Sequence, residues 1–165
     1  MITGEIKNKI DSIWDDFFSA GMSEYLTVIE QFSYLMFIHS LDEVENETEQ
    51  YEKFSGEKKE HIFPADKQNY RWHIFKTFEE TELFKLMDKE IFPFIKTING
   101  NEESAFARYM KDAAFSIPSP QTLKAVITKL DELFENPEVQ ARDMLGDIYE
   151  YVLSKMNSSG QVGMF

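Results

Sequence analysis

The chain has 165 residues, of which 42% are hydrophobic and 28% charged, with 15% aromatic and fifteen phenylalanines. That length and apolar content suit one domain with a full core, and they exclude a largely disordered chain, because enough surface can be buried to offset the ordering entropy. The formal net charge of −13 argues against free-standing binding to duplex DNA, and the absence of cysteine excludes disulfides and thiolate chemistry.

Chain order gives helix after helix. Thr3 is placed to cap a first helix whose face carries Ile6, Ile10, Ile13 or Trp14, and Phe17, and Gly21 ends it. A second helix restarts at Ser23 with Leu26, Ile29, Phe32 or Ser33, Met36 and their neighbours. Tyr25, Val28, Leu35 and Ile38 widen its apolar surface to that of a central bundle helix. It runs into Asp42-Glu43-Val44-Glu45-Asn46-Glu47, an acidic stretch expected to be solvated. The longest apolar runs, such as Tyr34 to Ile38, are far too short to span a bilayer, and Met1 to Glu5 has no signal-peptide character, so the reading is a cytoplasmic protein with no membrane partner.

Residues 46–76 carry no clean period and are expected to form one long loop, a length that usually goes with function or mobility. Thr77 and Glu80 have capping-box spacing. Leu83, Phe84, Met87, Ile91, Phe94, Ile95 and Ile98 then follow at helical spacing, with Pro93 expected to kink or split the helix and Asn99-Gly100 to end it. A short helix is expected over Ser104 to Met110. Ser119-Pro120 starts another, with Leu123, Val126, Ile127, Leu130 and Phe134 inward. After the Asn136-Pro137 turn, a last helix places Leu145, Ile148, Tyr149, Val152 and Met156 on one side. The class is all-α, an irregular bundle of about five or six helices with one long loop at about 46–76.

A search for reactive constellations returns little. His39 and Glu43 lie one helical turn apart, which suits an ordinary helix contact better than a metal site needing three or four ligands. The seven glycines are scattered, with no phosphate-binding loop, and no serine sits in a nucleophile elbow. Asp15-Asp16 and Glu79-Glu80 are sequence neighbours and diverge on a helix. Tyr70-Arg71-Trp72-His73 stands out, because Arg71 is one of three arginines and Trp72 one of two tryptophans. The pair suits base stacking or an interface anchor, or else Trp72 docks the loop on the core while Arg71 meets a carboxylate.

The opening Gly4 to Glu43, with Lys9-Ile10-Asp11-x-Ile13-Trp14, Ile29-Glu30-Gln31, Leu35-Met36-Phe37-Ile38 and Leu41-Asp42-Glu43, resembles the N-terminal helical domain of modification subunits of type I restriction–modification systems. Tyr70-Arg71-Trp72 and Leu145-Gly146-Asp147-Ile148-Tyr149-Glu150-Tyr151 match in the same order. The resemblance implies that residues 1–156 form a non-catalytic helical domain and that 157–165 are a linker. It further implies a parent protein that adds a C-terminal, Rossmann-like methyltransferase domain using S-adenosylmethionine to methylate adenine N6. The implied partners are a specificity subunit, a second modification subunit, a restriction subunit and DNA. The domain's implied role is assembly and closure around DNA.

No family catalytic, cofactor or metal residue can be carried onto this chain. The residues expected to contact DNA or a subunit are Lys58, Lys59, Lys67, Arg71 and Trp72. The −13 charge also suits a different class, a free-standing acidic helical adaptor or DNA-mimic inhibitor. Mimicry needs carboxylates on one extended face, whereas here acids and lysines are interspersed.

Overall fold

The computed structural model describes residues 3–97, 112–141 and 145–158, and every regular element among them is helical. The α-helical segments are α1 (Gly4–Ser19), α2 (Tyr25–Ser55), α3 (Trp72–Phe75), α4 (Glu80–Leu86), α5 (Phe92–Thr97), α6 (Pro120–Glu135), α7 (Pro137–Ala141) and α8 (Leu145–Ser158). A 3₁₀ helix covers Ala65–Tyr70, and one π turn covers Met87–Ile91. The described segments outnumber the five or six helices read from periodicity because α3, α5 and α7 are single turns or little more, too short to carry a period of their own.

Two compact units share the chain. The first comprises Met1–Ser33 and Ser116–Phe165, the second Tyr34–Phe115. In the first, Thr3 caps α1 by accepting from the Ile6 amide at 3.4 Å. Ile6, Ile10, Ile13, Trp14 and Phe17 all lie buried along it, as their spacing predicts. Gly21 ends the helix at φ +95°, the left-handed region where a side chain would be strained. Trp14, Phe18 and Tyr25 cluster beside that turn, ring centroids 5.0–5.5 Å apart. α1 packs on α6 and α8. Ser119 caps α6 by accepting from Thr122 N at 3.2 Å with Pro120 at the first turn, and Leu123, Val126, Ile127, Leu130, Leu133 and Phe134 are buried. Ile148 and Val152 of α8 are also buried, while Leu26, expected inward, is exposed. The chain's return is fixed where buried Gln31 accepts from the Ser116 amide at 3.1 Å. On α8, Tyr151 donates to Asp11 at 2.8 Å, and burial together with that carboxylate pushes its phenol up to about 12.

In the second unit, α4 passes through the π turn into α5. The Phe92 amide reaches back five residues to the Met87 carbonyl. Pro93, which has no amide hydrogen, thus splits the helix by widening one turn, as its position predicts. Leu83, Met87, Ile91, Phe92 and Ile95 are buried there, and Phe115 stacks its edge near Phe84 and Phe92 at 5.3 and 5.2 Å.

Three expectations are corrected. The long loop at 46–76 is mostly helix: α2 continues to Ser55, Gly56 stops it at φ +75°, and 65–75 is helical apart from Arg71 and a kink at Lys67. The acidic stretch is not uniformly solvated, since Asp42 and Glu45 are buried. Both errors have one cause, the neutralisation of those carboxylates by groups from 61–73, described below. The N-cap of α4 is Glu79 rather than Thr77, because Thr77 is engaged with the last turn of α3, donating to the Ile74 carbonyl at 2.8 Å. The expected helix at Ser104 to Met110, the Asn99-Gly100 stop, most of the 157–165 linker, and the side chains of Leu145, Tyr149 and Met156 lie outside the described residues.

Candidate functional site

The densest polar constellation among the described side chains lies in the second unit, on one face of α2. Asp42, Glu45, Glu49 and Glu52 follow at intervals of three, four and three, so their carboxylates share a helical face. Residues 59–73 fold back along that face and supply donors in order.

Arg71 is the centre, only 3% exposed. Its Nε lies 2.6 Å from Asp42 Oδ1, and its Nη atoms reach Glu49 Oε2 at 2.9 Å and Glu49 Oε1 at 3.1 Å. Asn46 and Gln68 accept its remaining N–H groups at 2.8 and 3.1 Å. Such planar fork geometry is the feature that lysine lacks. The other oxygen of Asp42 accepts the His73 amide at 2.9 Å and sits 2.8 Å from His73 Nδ1. Burial alone would raise the Asp42 carboxyl. The His73 hydrogen bonds and the Arg71 guanidinium outweigh it, and the group is held below its usual 3.8. Glu49, hydrogen-bonded by Arg71, is lowered as well.

One turn further on, Glu45 is 1% exposed and accepts the amides of Ile62 and Phe63 at 3.1 and 2.9 Å. Backbone donors from a non-helical stretch thereby find a buried acceptor, which is what lets 56–64 lie against α2 without regular structure. His61 bridges two carboxylates, Nδ1 at 3.3 Å from Glu45 and Nε2 at 2.8 Å from Glu52. Desolvation works against a charge on His61, yet Glu52 and Glu45 prevail and raise it above the usual 6.5. A raised folded-state value means that the latch contributes fully below pH 6.5 and is lost as pH rises through the raised value. Urea midpoints measured from pH 6 to 9 are therefore expected to fall with pH, and His61→Ala is expected to flatten that slope. An unchanged slope in the variant would remove His61 as its source.

Of the residues singled out in the sequence, Arg71 and Trp72 are neighbours in the interior, and neither offers surface to a ligand here. Trp72 lies edge-on to His39 at 5.1 Å and to Phe75 at 5.4 Å. Lys58 and Lys59 are exposed, with Lys59 Nζ 4.1 Å over the Tyr51 ring, and Lys67 lies 5.4 Å over Tyr70. His39 Nδ1 and Glu43 Oε1 form an i,i+4 pair at 3.0 Å. Among the described residues no group of three potential ligands gathers to hold a metal ion. No described helix is long and apolar enough to cross a membrane. Sequence reading missed Asp42 and Glu45; the three-four-three acid spacing opposite Arg71 was the available signal.

The chain belongs to the HsdM N-terminal domain family, whose model matches residues 6–130. Among curated proteins it is similar to the type I restriction enzyme EcoEI methylase subunit of Escherichia coli, 27% identical over 173 residues that take in 99% of this chain and 33% of the relative. The chain thus spans about a third of that relative's length. No solved structure matches significantly.

Proposed function

We propose that this chain is the N-terminal helical domain of a type I modification subunit and acts in assembly rather than in chemistry. In this reading the parent protein is an S-adenosylmethionine-dependent adenine-N6 DNA methyltransferase of the cytoplasm, with its cofactor and catalytic groups outside this chain. Residues 1–156 form the helical domain and 157–165 lead toward the catalytic one. The partners are a specificity subunit, a second modification subunit, a restriction subunit and DNA, around which the domain helps the complex close. The observation that carries the reading is the family match over residues 6–130, together with similarity to a methylase subunit across 99% of the chain. The described geometry supports a scaffold role: its most elaborate polar cluster is consumed internally by Arg71, His61 and His73.

Lys58, Lys59 and Lys67 are the surface cations proposed to face DNA or a neighbouring subunit, and Arg71 and Trp72 set the segment that carries them. Contact with DNA through these lysines alone gives a shallow salt dependence, because few phosphates are neutralised.

Two measurements test the reading. Calorimetric titration of S-adenosylmethionine into this chain is expected to show no saturable heat, and micromolar binding would overturn the division of labour. In the full modification subunit, removing residues 3–158 is expected to leave cofactor binding intact while DNA retention by the assembly with the specificity subunit is lost. Undiminished retention would remove the assembly role.

A further inference from the structure

The second half of α2 is amphipathic in the inverse sense. Its buried residues include the acids Asp42 and Glu45, while Val44 is 49% exposed, Tyr51 42% and Phe54 94%. A helix that exposes a phenylalanine while burying carboxylates has an outward face that burial within its own unit does not explain. Leu41, Val44, Thr48 and Tyr51 are spaced three, four and three apart, the spacing of a seam that receives knobs from a second helix. Phe54 continues the stripe along its edge. An aromatic pair at the end of such a seam is the composition of an interface anchor.

The border of the stripe says what would lie on it. Residues 41–52 hold six acids and no lysine or arginine. Four of those acids, Asp42, Glu45, Glu49 and Glu52, are engaged by Arg71, His61, His73 and the backbone of 59–63. Glu43 and Glu47 remain on the outward side, one helical turn apart. Partial burial and the like charges of Glu47 and Asp42 raise Glu43; among the described residues the imidazole of His39 pairs with Glu43, and Lys59 lies over the Tyr51 ring at the far end of the stripe. A second copy of this chain would bring the same acidic border and another −13 of charge, and a duplex would bring phosphates; both are opposed electrostatically.

We propose that the outward face of α2, Val44, Tyr51 and Phe54 bordered by Glu43 and Glu47, docks an amphipathic helix of a partner protein whose apolar stripe is edged by lysine and arginine. The inference rests on this surface and does not depend on the methylase reading. The partner's apolar residues cover the stripe, and its cations sit over Glu43 and Glu47. Charge complementarity sets both the encounter rate and the choice of partner.

The test uses the full chain and two labelled helical peptides with the same leucine stripe, one with lysine borders and one with glutamate borders, followed by fluorescence anisotropy. The lysine-bordered peptide is expected to bind about tenfold or more tighter, a difference of about 1.4 kcal/mol. Val44→Ser with Phe54→Ser changes only exposed positions, so folding should be retained by circular dichroism while binding weakens by a similar factor. Glu43→Lys with Glu47→Lys is expected to reverse the preference toward the glutamate-bordered peptide. Equal binding of both peptides, no binding of either, or indifference to both double variants would overturn the proposal. So would concentration-dependent self-association of the chain that the Val44/Phe54 variant abolishes, because a second copy would then be the occupant.

Discussion

Arg71→Ala is expected to remove about 3–5 kcal/mol of stability from the second compact unit. The magnitude comes from what the substitution leaves behind rather than from the bonds it deletes. Asp42 is buried and would keep its His73 contacts but lose the Arg71 guanidinium, and Glu49 and Asn46 would lose the Arg71 donors together. A carboxylate stranded in the interior is penalised far more than a surface pair is rewarded. The readout is amide-exchange protection across α2 and residues 62–75. Arg71→Lys should fall between the two, since an ammonium keeps the charge but cannot span Asp42, Asn46 and Glu49 at once. Adding Asp42→Asn to Arg71→Ala should recover part of the loss, a coupling of about 0.5–3 kcal/mol for groups in direct contact. Additive effects, or a single-variant loss below about 1 kcal/mol, would mean that the cluster is an ornament of the surface.

Acid should act on the same cluster. Asp42 and Glu49 are both lowered in the folded state, so their contribution is present above their ordinary values of 3.8 and 4.5 and disappears as pH falls through the lowered ones. The His61 latch fails on the opposite side, as pH rises above 6.5. Neutral to mildly acidic solution is thus where residues 56–73 are held most firmly to α2.

How much of this could be read from residues alone depends on which force fixes each element. α1 and α6 are legible because one apolar stripe and one capping hydroxyl decide each of them, Thr3 for the first and Ser119 for the second. The π turn is half legible: Pro93 announces a break but not its form, which depends on the Phe92 amide finding the Met87 carbonyl. Residues 46–76 mislead because their order comes from charge rather than from apolar periodicity. Nothing local says that Glu45 will accept two amides from residues 62 and 63, a pairing made seventeen and eighteen positions away. Arg71 was conspicuous by rarity, but its direction, inward to α2 rather than outward to a ligand, is a tertiary fact.

Trp72 gives the second large effect. Its ring is fully buried at the start of α3, set edge-on against Phe75 and against His39 of α2. Trp72→Ala empties that space, and the expected loss is about 3–5 kcal/mol, compared with about 0.5 kcal/mol or less for the half-exposed Leu153 as a control. Trp72→Phe should recover most of it, because a ring survives to meet both neighbours. The prediction separates two roles that the bare sequence leaves open. A tryptophan that anchors a ligand can be truncated with the fold intact and binding gone. A tryptophan that wedges the 65–75 segment onto α2 cannot, since His39 loses its ring neighbour and Arg71, the adjacent residue, loses the backbone position that aims it at Asp42. Thermal melts by circular dichroism decide between them: a variant that melts with the wild type yet fails to join its partners would move Trp72 from the core to the interface.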